Sequence, residues 1–275
     1  MNIPRKKIFL LEAKNLNKTY TQTSGFFVRK QAKIKALDQI SLTIKKGQTL
    51  AVVGESGSGK STLARCLLQL QSIDSGILMF KGKNINILNI NEFKNLKREV
   101  QMVFQDPYAS LNPRMRIKDI VEEGLVIHKI GTALERERKV SAMIKKVGLS
   151  QADLVKYPHE FSGGQRQRIG IARALVVEPK LVICDEPVSA LDVSIQAQIL
   201  MLLKSLQKEM GLSYLFISHD LRVVRHIADE ILVMYQGKIL ERGSIKKVYT
   251  KPEANYTKEL LNSIPGKPFK FNLIH

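Results

Sequence analysis

Three short stretches carry residue types whose spacing suits phosphate chemistry. The first is Gly54-Glu-Ser-Gly-Ser-Gly59-Lys60-Ser61, which follows the pattern GxxxxGK[ST]. Gly54, Gly57 and Gly59 let the backbone wrap closely enough for its N–H groups to point at phosphate oxygens. Lys60 supplies a mobile cation, and Ser61 offers a hydroxyl suited to Mg²⁺. The second stretch is Leu181-Val-Ile-Cys-Asp185-Glu186, an apolar run that ends in adjacent carboxylates and is closed by Pro187. Asp185 at the end of a strand can hold Mg²⁺ or its water shell, and Glu186 can polarise an attacking water as general base. The third is Phe161-Ser162-Gly163-Gly164-Gln165. Ser162 and the amides of Gly163 and Gly164 would open a helix and form a second anion site. Two such helix starts in one chain suggest a nucleotide held between two subunits.

The elements that must position these residues alternate. Short apolar strands are expected at Phe9–Leu11, Ile34–Ile44, Gln48–Val53, Gly76–Phe80 and Val100–Phe104, and again at Leu181–Cys184, Tyr214–Ile217, Ile231–Tyr235 and Lys238–Glu241. Helical spacing of apolar residues marks Ile117–His128, Ala133–Val147 and Gln165–Val177, and the helix Ser61–Leu70 follows the glycine-rich loop. Alternating strands and helices predict a largely parallel sheet covered on both faces, interrupted by an all-helical insertion near 106–174.

At 275 residues and 44% apolar content the chain can bury a full α/β core. No stretch reaches the ~18 uncharged apolar residues of a membrane span, and the basic Met1–Lys7 start precedes an apolar run too short for a signal peptide. A cytosolic protein is therefore expected. Cys66 and Cys184 lie far apart in apolar segments and read as small buried hydrophobes. The net charge of +19 is concentrated at the ends: residues 1–35 hold nine Lys/Arg against one acid, and residues 238–275 hold eight against three. Attraction to nucleic acid or anionic lipid would explain such charge. No aromatic residues interleave with it as a base-stacking platform requires. A solvated basic surface is the expectation, with no specific nucleic-acid partner.

Phe161-Ser-Gly-Gly-Gln165, continued by Arg166-Gln-Arg168 and lying twenty residues before Asp185, closely resembles the LSGGQ signature of ABC ATPases. The resemblance spans roughly residues 8–265. It implies a P-loop NTPase (RecA-like) α/β core with a parallel sheet, an N-terminal antiparallel β subdomain and an inserted α-helical subdomain. The implied division is a core split over 1–105 and 175–250, a helical signature subdomain over 106–174 and a short C-terminal tail over 251–275. It implies ATP and Mg²⁺ as ligands. Tyr20 resembles the aromatic residue that stacks on adenine. Gln105 matches the glutamine that contacts Mg²⁺ or the water and senses the membrane partner. Ser189-Ala-Leu-Asp192 matches the D-loop at the dimer interface, and His219 matches the switch histidine on the γ-phosphate. The implied nucleotide set is Tyr20, Gly54, Glu55, Ser56, Gly57, Ser58, Gly59, Lys60, Ser61 and Thr62, with Ser162, Gly163, Gly164 and Gln165 serving the nucleotide of the other subunit. The catalytic set is Glu186, His219 and Gln105, and the metal set is Ser61, Gln105 and Asp185.

Three segments resemble the ATPases of dipeptide, oligopeptide and nickel importers: Val-Phe-Gln105-Asp-Pro-Tyr-Ala-Ser-Leu-Asn-Pro113-Arg, Pro158–Arg168 and Asp185–Gln198. Tyr256–Pro265 resembles the start of that group's C-terminal extension, and Thr21–Lys35 resembles the insertion of the second ATPase of the pair. The sequence stops ten residues after Pro265 and has no Cys after Cys184, so the iron–sulfur site of some relatives is not expected. The resemblance implies an energy-coupling ATPase on the cytoplasmic face of the inner membrane. It would pair with a paralogous ATPase or itself, bind two membrane permeases, and serve an extracytoplasmic solute-binding protein indirectly. The solute implied is a di- or oligopeptide, with nickel or a metal chelate as the alternative. A non-transport ABC ATPase in nucleic-acid or cofactor-assembly work is the alternative of a different class.

Overall fold

Apolar strands with no polar face must be covered on both sides, and this chain builds several of them. The computed structural model describes residues 9–24 and 30–264. The basic Met1–Lys7 segment, part of the Thr21–Lys35 stretch and everything from Pro265 onward lie outside the described residues. In chain order the first elements are β1 (Leu11–Ser24), β2 (Lys30–Ile44), β3 (Thr49–Val53), α1 (Lys60–Leu67), β4 (Ser75–Phe80) and β5 (Lys83–Asn84). Next come α2 (Ile90–Glu99), β6 (Val100–Val103), α3 (Pro107–Ser110), α4 (Ile117–Ile127), α5 (Ala133–Lys146), α6 (Gly163–Leu175) and β7 (Leu181–Asp185). The last are α7 (Val193–Met210), β8 (Ser213–Ser218), α8 (Leu221–Ile227), β9 (Glu230–Tyr235), β10 (Lys238–Ser244), α9 (Ile245–Thr250) and α10 (Asn255–Asn262).

The chain forms two compact units. Among the described residues, the first joins those up to 88 with 219–264, and the second holds residues 89–218. In the first unit an antiparallel sheet runs β2-β1-β4-β5. β1 pairs along its length with β2 from Leu11↔Ile44 to Ser24↔Lys30, with irregularities between Ala13 and Thr19. In the same unit β3 pairs parallel with β9, and β9 pairs antiparallel with β10. Every residue of β3 is buried, as both-face coverage requires.

The second unit carries the parallel strands β6, β7 and β8, in register from Val100↔Leu181 and Leu181↔Ser213. β7 and β8 are buried throughout. The segment joining β6 to β7 is helical, as expected: α3, α4, α5 and α6 are linked by loops and by 3-10 turns at Gln151–Val155 and Pro158–Glu160. Ile117, Ile120, Val121 and Leu125 of α4 and Val140, Met143 and Ile144 of α5 form the buried stripes that the helical spacing marks. Cys66 and Cys184 are both buried free thiols, as small hydrophobes would be. Burial pushes the Cys66 thiol up to about 11, so it stays protonated and unreactive at neutral pH.

Candidate functional site

β3 delivers the chain into the glycine-rich loop, and neighbouring backbones press against that loop. Gly54 has φ 150° and Gly59 has φ 103°. A Cβ on Gly54 would lie 2.1 Å from the Met234 carbonyl oxygen, and one on Gly59 would lie 2.3 Å from the Ala36 carbonyl oxygen. Only glycine allows β9 and β2 to approach this closely. The Gly237 N–H, in the turn between β9 and β10, donates to the Ser58 carbonyl at 3.0 Å. The loop is thus braced from two strands and a turn.

Lys60 is only 5% exposed. Its ammonium donates to the carbonyls of Gly54 (2.8 Å) and Glu55 (2.7 Å) and to Ser58 Oγ (3.3 Å). The cation therefore sits folded back over the loop. α1 starts at Lys60 with no acidic residue in its first turn, so its N-terminal amides and dipole face the loop as positive charge. A close-wrapped backbone, a buried cation and a helix start together fit a polyphosphate. Tyr20 is half-buried on β1, with Lys18 Nζ 5.8 Å from its ring centroid. Lys18 pairs with Asp74 at 2.8 Å, and that hydrogen bond holds the lysine above the usual range.

In the second unit the acidic pair stands where β7 ends, at the carboxyl end of parallel strands, the usual place for ligand chemistry in such sheets. Asp185 is 8% exposed. Glu186 is held in the left-handed region at φ 47°, a strained setting for a residue with a side chain. Three hydrogen bonds fix it there: its N–H donates to the Ile217 carbonyl (3.0 Å), and its own carbonyl accepts from the Ser189 N–H (3.2 Å) and Ser189 Oγ (3.1 Å). The carboxylate accepts from Gln105 Nε2 at 3.3 Å. Gln105 follows β6, and the parallel pairing of β6 with β7 brings these two residues together. His219 follows directly on β8 and is exposed, and Asp220 then caps α8 by accepting from the Arg222 N–H at 2.8 Å.

Ser162 is the N-cap of α6. Its Oγ accepts from the Gln165 N–H (3.4 Å), while Gln165 Oε1 accepts from the Ser162 N–H (3.0 Å). This reciprocal capping box fixes the helix entrance. Gly164 packs closely against α7: a Cβ there would lie 2.5 Å from Ile195 Cγ2 and force that side chain to shift. One turn on, the buried Arg166 guanidinium donates to the carbonyls of Pro158 (2.6 Å) and His159 (3.2 Å) and lies 3.7 Å from the Tyr108 ring centroid. Sequence reading marks Arg166 only as a continuation of the signature. The structure shows it tying the signature helix to the segment after Gln105.

Two groups of expected site residues are thus assembled locally. Gly54, Glu55, Ser58 and Lys60 cluster in the first unit, and Gln105 with Glu186, and Ser162 with Gln165, are joined in the second. The family model described as ABC transporter matches residues 37–189, more than half of the chain. The chain belongs to the ABC transporter family. This cassette is 50% identical over 257 residues to the oligopeptide transport ATP-binding protein AppF of Bacillus subtilis, covering 93% of this chain and 78% of that protein. It is 52% identical over 257 residues to the dipeptide transport ATP-binding protein DppF of Haemophilus influenzae, with the same coverage of each. Its fold is similar to the dimeric post-hydrolysis structure of the ATP-binding cassette MJ0796 bound to ADP and Pi, with a TM-score of 0.74, 30% identity, and 86% of this chain and 98% of that one covered. The cassette is an ABC-type ATPase. Among the described residues no helix is long and apolar enough to cross a membrane.

Proposed function

We propose that this cassette is the ATP-hydrolysing, energy-coupling subunit of an importer of di- or oligopeptides, working in a dimer with a second cassette. The carrying observation is Glu186: a carboxylate at the end of β7, backbone-locked at φ 47° and hydrogen-bonded to Gln105, in a chain that also holds the Lys60 cradle. The peptide solute is supported by the names of the two relatives at about half identity.

In this reading the loop of residues 54–62 cradles the β- and γ-phosphates, its backbone and Lys60 supplying the positive charge, and Tyr20 stacks on the adenine. Asp185, Ser61 and Gln105 would hold Mg²⁺. Among the described residues no three His, Cys, Asp or Glu side chains gather as a metal site. The named donors, one carboxylate, one hydroxyl and one side-chain amide, suit Mg²⁺, which takes one or two carboxylates together with substrate phosphates. Mg²⁺, when bound, neutralises charge developing on the phosphoryl oxygens. Glu186 accepts the proton of the attacking water, Gln105 orients the carboxylate, and His219 contacts the γ-phosphate. Ser162, Gly163, Gly164 and Gln165 serve the nucleotide of the other cassette. Residues 1–105 and 175–250 form the nucleotide core, 106–174 the signature subdomain, and 251–275 the C-terminal tail. Two membrane permeases recruit the cassette to the cytoplasmic face of the inner membrane, and an extracytoplasmic binding protein delivers solute to those permeases.

Ser162→Arg tests the shared site. The bulky cation replaces an exposed N-cap, so helix capping worth ~1 kcal/mol is lost. Nucleotide binding to the isolated chain should survive, because this residue serves the other subunit's phosphate. ATPase activity and peptide uptake by the reconstituted transporter should fall, partially if only one of two sites uses this signature. Unchanged uptake and hydrolysis would refute the shared site.

A further inference from the structure

α10 reaches the glycine-rich loop. α10 is docked through Glu241 of β10, whose carboxylate accepts from the N–H groups of Glu253 (2.9 Å) and Ala254 (3.0 Å). Burial pushes that carboxyl up, but the two backbone amides and the nearby Lys247 charge hold it below its ordinary range. Glu241 therefore stays ionised and keeps the helix start in place. Thr257 and Leu261 are buried beneath the helix. This fixes Tyr256, whose ring packs on Tyr235 with centroids 4.5 Å apart. Tyr256 Oη then accepts from the Glu55 N–H at 3.0 Å.

The consequence lies in one peptide plane. The Gly54 carbonyl and the Glu55 N–H belong to the same rigid unit. Its oxygen accepts from Lys60 Nζ at 2.8 Å, while its N–H donates to Tyr256 at 3.0 Å. A donor engaged at one end of an amide strengthens the acceptor at the other. We propose that Tyr256 is a positioning residue for ATP binding, acting through the Gly54–Glu55 peptide on Lys60. The grip comes from a residue 201 positions away in sequence. The Gly54–Glu55 plane stays gripped by Tyr256 when phosphate arrives, so the loop and Lys60 are preorganised for it, and the contribution belongs to binding rather than to the chemical step.

The inference rests on reading Lys60 as the phosphate-binding cation. Tyr256→Phe keeps the ring on Tyr235 and removes only the acceptor. KM for ATP should rise about three- to tenfold, the scale of one hydrogen bond, with kcat unchanged within about twofold. Hydrogen exchange at the Glu55 amide should quicken in the variant, while the melting temperature without nucleotide stays near that of the unaltered protein. A merely structural role would instead lower the melting temperature and leave KM alone. Unchanged KM, or a fall in kcat only, overturns the inference. Should the variant fold poorly, the unaltered cassette still decides, because a freely exchanging Glu55 amide overturns the inference and a protected one supports it. Failure of the unaltered cassette to bind ATP would sink the reading of Lys60 instead.

Discussion

Replacing Glu186 with glutamine should lower ATP turnover by about 10²–10⁴-fold, the usual worth of general-base assistance, while ATP still binds. The substitution is close to a pure chemical change here. The backbone at φ 47° is braced by Ile217 and Ser189 main-chain and hydroxyl contacts that do not involve the side chain. The amide oxygen of the new residue can still accept from Gln105 Nε2, so the constellation keeps its shape. What is lost is a group that can take a proton from water. Intact nucleotide should then hold the two subunits together, since hydrolysis no longer breaks the sandwich. Phosphate release and size-exclusion chromatography with ATP and Mg²⁺ read both effects, on the chain with its proper partner. A persistent ATP-dependent dimer with slow release is expected. Near-normal hydrolysis would reassign the base, with His219 the next candidate.

Lys60→Ala should reduce kcat by about 10²–10³-fold, the scale for removing one preorganised donor from a developing negative charge. ATP affinity should fall with it, because the lysine has a second task. Its three donors bind the Gly54 and Glu55 carbonyls and Ser58 Oγ, so its removal also loosens the loop proposed to bind phosphate. Lys60→Arg should not rescue activity. The planar guanidinium fork cannot reproduce a compact ammonium among three oxygens that lie within 3.3 Å of it. Steady-state turnover and equilibrium binding of a fluorescent ATP analogue separate the two losses. Wild-type values for both in Lys60→Ala would remove the phosphate-site assignment.

Much of this was legible because the chemistry is packed into short contiguous motifs. The glycine spacing at 54–59 foretold a tightly wrapped loop, and the Met234 and Ala36 carbonyls show what the missing Cβ atoms make room for. The capping box at Ser162 and Gln165 is a local signature readable at a spacing of three. Apolar stripes placed α4, α5 and α6 within a few residues of their ends. β1 was harder. Only Phe9–Leu11 is marked by apolar content, yet the strand runs Leu11–Ser24. Its register shifts between Ala13 and Thr19 destroy the period-two alternation that would announce it, and Asn15 takes φ 48°. The region expected as a short tail holds α10, whose value lies in the single hydrogen bond that Tyr256 Oη accepts from the Glu55 N–H. Contacts between residues so far apart in sequence leave no local pattern to read. The same holds for the parallel pairing of β6 and β7, which alone brings Gln105 to Glu186.

The most direct measurement of the central claim is ATP-driven peptide accumulation in proteoliposomes holding this cassette with the partner cassette and the two permeases proposed for it. Oligopeptide-loaded binding protein would be supplied on the opposite side of the bilayer from ATP. Peptide uptake should depend on ATP and Mg²⁺, and loaded binding protein should stimulate phosphate release. Vigorous ATP hydrolysis with no uptake of any peptide, or peptide uptake that continues without ATP, would contradict it.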